Sequence, residues 1–285
     1  MRFAVTLLLW LATTAALVVA VPAAWAQHNL VDEDGYAAMA QQAARDPALQ
    51  SAAAAELTTR ATALIAEHGS RYPVDSSRVH DAAAAFTASP SFPPLFAAAN
   101  RAAHGWLFSD PRSGTGDAWV VDLAPMLNDS SLQRMLSDYG VSVPAKLTVP
   151  LTVSVPSRAE ALHQGQLRRL AAWGPWATAG LLALTGGCGL LTLVAARRRG
   201  KALSSLGVSA LLVGAGGWAA IEVGGRYVND ALNRTTGDIR RIADVMVSHA
   251  EGSLHRWLNL TLLAGVTLVV VGVLVAMLGT LFKRG

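Results

Sequence analysis

The residues best placed to do chemistry are Asn100, Arg101 and His104. They put an amide, a guanidinium and an imidazole within about one turn of a predicted helix, "FPPLFAAANRAAHGWLF", Phe92 to Phe108. Such a trio could hold a polar ligand and forms the candidate ligand-binding group; its other reading is a solvated face or a set of buried hydrogen-bonding groups. Elsewhere the reactive side chains are scattered. The seven histidines, His28, His68, His80, His104, His163, His249 and His255, include no pair at i,i+3 or i,i+4 that would put two imidazoles on one metal. Asp32-Glu33-Asp34 lacks the spacing of a calcium loop. It reads better as the start of a helix, where acids complement the dipole. The motifs GxSxG, HExxH, CxxC and the P-loop are missing, and "GTGD" after Ser113 reads as a turn. The single cysteine, Cys188, falls inside an apolar run, which leaves no disulfide or thiolate metal site for the rest of the chain. No catalytic residue, metal or cofactor is expected, and a non-enzymatic role is preferred over an enzyme with a dispersed site.

These residues hang on a chain built for a membrane. Of its 285 residues, 52% are hydrophobic and only 15% charged, against about 25% charged in a soluble domain. Phe3–Trp25 is apolar, and Trp173–Ala196, Ala202–Ile221 and Leu258–Phe282 contain no Asp, Glu, Lys, Arg or His. Each run is long enough for a helix to cross roughly 30 Å of hydrocarbon. None alternates as a barrel strand would, so helices must satisfy the backbone. The basic stretch "ARRRGK" then reads as a topology signal. With four alternating spans, Arg2, Arg197, Arg198, Arg199, Lys201, Lys283 and Arg284 share one side, the cytoplasmic one. The four inter-span cations, Arg197, Arg198, Arg199 and Lys201, could also contact anionic headgroups. The segment from Gln27 to Leu167 carries 14 acids against nine Lys or Arg, so the net charge of +4 comes from the membrane flanks. Nucleic acid is not expected as a partner, because no broad basic face with stacking aromatics accompanies the charge.

The expected organisation is an N-terminal anchor over 1–26, an extracytoplasmic domain over 27–170, and a second span over 171–196. A basic cytoplasmic loop over 197–201 leads to a third span over 202–221. An amphipathic outer loop over 222–257 precedes a fourth span over 258–282 and a cytoplasmic tail over 283–285. "AWA" before Gln27 is also a possible signal-peptide cleavage site, although the apolar run is longer than a signal h-region. In the exported domain, Asp46-Pro47 and Asp75 start helices. "AWVVDL" and the alternating "KLTVPLTVSV" read as strands, and "SSLQRMLSDY" as a further helix. The fold class expected is therefore a four-span α-helical membrane protein with a mainly helical α+β extracytoplasmic domain carrying a small sheet. In the outer loop, the third span should extend to about Leu232 and a new helix return from Asp238. Its apolar stripe, including Ile242 and Met246, should pack on the exported domain.

No Asp, Glu, Lys, Arg or His lies within the last three spans, which argues against an ion-coupled transporter. Small residues recur instead. Thr178, Thr185 and Thr192 are seven apart, as are Gly265, Gly272 and Gly279. A straight helix drifts only about 20° per heptad, so each set forms a stripe. Spans two and four are parallel, and the two stripes are expected to face each other.

"VDEDGYAAMAQQAARDPALQ", "FPPLFAAANRAAHGWL", "VVDLAPML" and "AARRRGKAL" together resemble a group of actinobacterial conserved polytopic integral membrane proteins of uncharacterised function. The resemblance spans about Leu30 to Lys201; the long helical loop before the fourth span departs from it. It implies location in the cell envelope, here the plasma membrane, and carries over no catalytic residue. The function expected is that of a scaffold or accessory subunit. Besides the lipid bilayer, its partner would be another envelope protein or a lipid-linked component, held by the extracytoplasmic domain. A lipid-handling protein, a transporter accessory or an unrecognised envelope enzyme are the alternatives.

Overall fold

The computed structural model describes residues 2–67, 75–108, 118–122, 146–150, 165–233 and 237–281. Helix α1 spans Arg2–Ala26 and passes into a π-helical turn, Gln27–Val31. Four shorter helices follow: α2 (Glu33–Ala43), α3 (Pro47–Glu67), α4 (Ser76–Thr87) and α5 (Phe92–Phe108). A strand pair, β1 (Ala118–Asp122) and β2 (Lys146–Pro150), precedes three long helices. These are α6 (Arg168–Ala195), α7 (Arg199–Leu232) and α8 (Gly237–Leu281).

Among the described residues, four helices are long and apolar enough to cross a bilayer: Ala4–Val31, Arg168–Ala195, Arg199–Leu232 and Gly237–Gly279. The chain is a multi-pass membrane protein whose spans are suited to contact with lipid. Only 6% of the apolar window of α6 and 11% of that of α8 is buried within the chain. Large side chains such as Leu190, Val194, Leu260 and Leu263 stand exposed along them. At about 1.5 Å per residue, the 45 residues of α8 reach about 68 Å, more than twice the hydrocarbon thickness.

The α+β class expected from the sequence is overturned. The described residues are overwhelmingly helical. What β pairing there is amounts to one antiparallel ribbon, with Ala118 opposite Pro150 and Asp122 opposite Lys146. Helix α5 packs against β1, and two five-residue strands need such a helix, or a third strand, for stability; they do not amount to a sheet layer of a domain. The alternation in "KLTVPLTVSV" reports local pairing and not a sheet-based domain. The expected helix "SSLQRMLSDY" and the turn "GTGD" lie outside the described residues.

The chain divides into two compact units. One comprises 1–28, 172–229 and 251–285, the other 29–171 and 230–250. The second is a helical domain in which α2 packs on α5 and α3 on α4. Its helices start where the chain supplies side-chain acceptors. Asp32 accepts from the Gly35 N–H at 2.8 Å, Asp46 from Ala48 at 2.9 Å, and Asp75 from Ser77 at 3.0 Å. Ala43, Ala44, Leu49, Ala53 and Phe92 form its core, and Phe86 meets Phe92 edge-on at 5.7 Å. Ile242, Val245 and Met246, from the first turns of α8, pack against the same core. The amphipathic stripe before the fourth span thus completes this domain.

In the first unit α1 is tied to α7 by polar contacts at membrane depth. Trp10 Nε1 donates to the Ser205 carbonyl at 2.9 Å, and the Thr14 and Ser209 hydroxyls lie 2.7 Å apart. Trp25 Nε1 donates to Ser253 Oγ of α8 at 3.3 Å.

Candidate functional site

The trio Asn100, Arg101 and His104 is gathered on one side of α5, and that side faces α2 and the chain before it. Tyr36 donates to Asn100 Oδ1 at 3.3 Å, while Asn100 Nδ2 donates to the Phe96 carbonyl at 2.8 Å. Arg101 pairs with Asp34 and, at 3.3 Å, with Glu33. His104 is buried, and its Nε2 lies 3.0 Å from the Leu30 carbonyl. A carbonyl only accepts, so Nε2 must carry the proton. The ring stacks on Phe108 at 4.1 Å with 9° between planes. Burial pushes the Tyr36 phenol above its ordinary pKa. The three residues therefore clamp α5 to α2. Their polar atoms are directed at the protein's own chain, and none of them lines either of the two cavities described below.

The basic residues lie where the second and third spans meet. Arg197 and Arg198 fall in the break between α6 and α7, and Arg199 and Lys201 in the first turn of α7. All four are exposed, as headgroup-facing cations would be.

The glycine stripe packs, but with a partner other than the one expected. A Cβ on Gly272 would stand 2.7 Å from the Gly200 carbonyl oxygen, and one on Gly265 would stand 2.9 Å from that of Gly207. Both contacts are with α7. From the other side, a Cβ on Gly200 or Gly207 would come within 2.6 or 2.7 Å of α8 backbone. Gly214 continues the seam against Leu258 and Leu262. Gly279 meets nothing within 4 Å. The reason is geometric: α7 begins at Arg199, and Gly200 already sits opposite Gly272. The expected meeting of this stripe with Thr178, Thr185 and Thr192 is thus corrected. Thr185 and Thr192 bond their own helix, at Leu181 and Cys188. Thr192 is fully buried and Thr178 half-buried. On the same helix, Gly189 lies 3.8 Å, measured from a built Cβ, from Thr13 of α1. The missed signal was in plain view: Gly200, Gly207 and Gly214 also recur every seven residues.

Beyond Gly214 the small residues of α7 continue as Gly216, Gly217, Ala220, Gly224 and Gly225, and here they leave a cavity of about 520 Å³. Val18 and Pro22 of α1 form a second wall, and Glu251, Leu254 and Leu258 of α8 a third. Cavities that hold small ligands run to roughly 300–1,000 Å³. A Cβ on Gly216 or Gly224 would meet nothing within 4 Å, so at these points the wall is bare backbone facing open space. The groove is apolar except at Glu251, and Pro22 adds one backbone acceptor: it has no N–H, so the Val18 carbonyl lacks its usual helical donor. The groove lies in the half of the spans remote from Arg2, Arg197–Arg199 and Lys201.

A second cavity, about 430 Å³ and mixed in polarity, lies in the helical domain between Gln41, Arg45, Gln50, Ser89 and Pro93. Among the described residues no group of three or more His, Cys, Asp or Glu could hold a metal ion. Neither cavity places a nucleophile against a base. One is walled mainly by apolar residues, the other by polar side chains and prolines. No family model, curated protein or solved structure matches the chain.

Proposed function

We propose that the chain is a non-enzymatic lipid-binding protein of the plasma membrane, holding one hydrocarbon tail between α1, α7 and α8. The observation that carries this reading is the groove of about 520 Å³ with its glycine-bared wall. A groove among membrane spans is filled from the bilayer. Water would find there only Glu251 and a stray carbonyl, too few partners to replace its hydrogen bonds. In this reading both termini are cytoplasmic, following the distribution of Lys and Arg. The groove then belongs to the outer leaflet, and the helical domain is extracytoplasmic. That domain would present the bound lipid, or a lipid-linked component, to another envelope protein. The resemblance to actinobacterial integral membrane proteins agrees with an envelope location. The reading also requires α1 to be retained, since Val18 and Pro22 are part of the groove, and the bonds from Trp10 and Thr14 to α7 support that.

The test is lipid retention. Full-length protein purified in mild detergent and washed extensively should keep about one lipid per chain, measured by extraction and mass spectrometry. The double variant Gly216→Leu/Gly224→Leu projects two side chains into open space. It should lose that lipid while keeping its thermal stability. Equal retention by both proteins would defeat the reading, as would an intact mass starting at Gln27.

A further inference from the structure

The second cavity carries an inference independent of the lipid groove. It is formed where two helix–helix corners meet: α2–α3 supplies Gln41, Arg45 and Gln50, and α4–α5 supplies Ser89, Pro90 and Pro93. Their neighbours in the chain, Ala43, Ala44, Leu49 and Phe92, are buried in the core of the domain. The lining side chains are thus rooted next to packed core residues, which holds their backbone in place.

The polar groups around this cavity are unequally employed. Gln50 Nε2 donates to the Ala44 carbonyl, and the neighbouring carboxylate, Asp46, caps α3 through Ala48. Arg45 is exposed, and among the described residues its guanidinium has no carboxylate partner. Arg60, Arg78 and Arg101, on α3, α4 and α5, each have one. Among the described residues, Ser89 Oγ is buried with no hydrogen-bond partner. Buried hydroxyls are rarely left so, and each one calls for an explanation. Pro90, Pro93 and Pro94 complete the wall with flat apolar rings and no N–H to compete for an acceptor.

We infer that this recess is an oxyanion-binding site, with Arg45 as the charged anchor, for a small ligand bearing a carboxylate or a phosphate next to an apolar group. A guanidinium fork takes either anion through two parallel hydrogen bonds. The Gln41 amide, four residues earlier and in the same lining, can donate alongside it, and the Ser89 hydroxyl of that lining is a further donor without a partner among the described residues. The proline rings receive the apolar part.

The test uses the full chain in detergent with three probes at matched ionic strength: inorganic phosphate, N-acetylalanine, and the neutral N-acetylalaninamide. Phenylglyoxal modification of Arg45 is followed by peptide mass spectrometry, and the melting temperature in parallel. At least one of the two anions should slow modification of Arg45 and raise the melting temperature, and the amide should do neither. Protection by phosphate alone assigns a phosphate ligand, and by N-acetylalanine alone a carboxylate. Protection by both assigns a site for oxyanions in general. Arg45→Gln should weaken binding by about tenfold or more, as loss of charged hydrogen bonds implies. Arg45→Lys should keep part of it, as a point charge without the fork. Ser89→Ala should weaken binding without lowering the stability of the ligand-free protein. Two results would overturn the site: neither anion protecting Arg45 better than chloride, or a melting-temperature rise that survives Arg45→Gln. Neither result bears on lipid retention, which depends on other residues.

Discussion

Between α7 and α8 the backbones touch, whereas around Phe92 they are held apart by rings. At the seam, carbonyl oxygens of Gly200 and Gly207 lie where Gly272 and Gly265 would carry a Cβ. In the core, Phe86 meets Phe92 edge-on and Phe96 meets it at a tilt, each with centroids 5.7 Å apart. The two solvents account for the difference. Water expels apolar side chains, so a domain gains by burying large ones. Lipid tails are as apolar as leucine and expel nothing, so membrane helices gain by close fit, which the smallest residues allow. The rule for reading stability inverts between the two regions: the large residue matters in one and the absent side chain in the other.

The largest expected effect is in the helical domain. Phe92→Ala removes the central ring and should cost about 3–5 kcal/mol. It should expose α2–α5 to limited proteolysis while leaving the spans resistant. Loss of the membrane transition to the same degree would show that the two regions do not differ as argued.

The reverse substitution probes the seam. Gly272→Leu meets backbone atoms that no rotamer change can move aside, and overpacking of this kind costs about 1–3 kcal/mol. Gly279→Leu, two turns along the same helix and facing open space, should cost almost nothing. Thermal denaturation in detergent gives both numbers. Equal effects would mean that the helix, and not the seam, is sensitive to leucine.

How much of this could be read in the residues depended on whether a signal was local. The spans, the caps at Asp32, Asp46 and Asp75, the extent of α5 and the end of α7 near Leu232 follow from runs and punctuation within a few residues; the start of α7 at Arg199, inside the expected basic loop, does not. The packing of Ile242 and Met246 followed from their phase on one helix. Which stripe meets which did not. Period seven places glycines on a face but carries no information on the opposing helix, and α7 and α8, consecutive and close in the chain, pair more readily than α6 and α8. The strand pattern misled about fold class for a related reason. Alternation in ten residues is local, whereas a sheet layer requires several strands elsewhere in the chain. Asn100, Arg101 and His104 were legible as a group, but a clamp and a ligand site use the same residue types. Only the position of Tyr36, Asp34 and the Leu30 carbonyl separates them. Arg45 gave no signal because its distinction is the lack of a partner.

A smaller effect is expected from polar contacts within the membrane. The Thr14–Ser209 hydroxyl pair is close, yet such bonds average about 0.6 kcal/mol, because side chains in the separated helices find other partners. Thr14 and Ser209 also back-bond to the Trp10 and Ser205 carbonyls of their own helices. A double-mutant cycle with Thr14→Val and Ser209→Ala should give a coupling of that order. A coupling above about 2 kcal/mol would exceed what membrane hydrogen bonds contribute and would put polar clasps, not close packing, in charge of the bundle.

The smallest effect separates the two regions by acid. The seam glycines carry no titratable group, whereas α4 begins at an exposed carboxylate. The Ser77 hydroxyl, then the Ser77 N–H, with Arg78 nearby, hold Asp75 below its ordinary value of 3.8 against a slight opposing desolvation. The folded pKa lies below the unfolded one. The stabilisation is therefore complete above the unfolded value and fades as pH falls through the folded value. Lowering the pH from 6 to 3 should speed amide exchange in the first turn of α4, relative to the intrinsic rate, and leave the α7–α8 seam unchanged. Asp75→Asn keeps a good cap without the charge. It should match the wild type in this turn at pH 3 and lose most of the pH dependence. Asp75→Ala should be loose at both pH values. If Asp75→Asn retained the full acid response, the titrating group would lie elsewhere. If acid loosened the seam as much as α4, the contrast between a charged water-facing domain and an uncharged membrane seam would not hold.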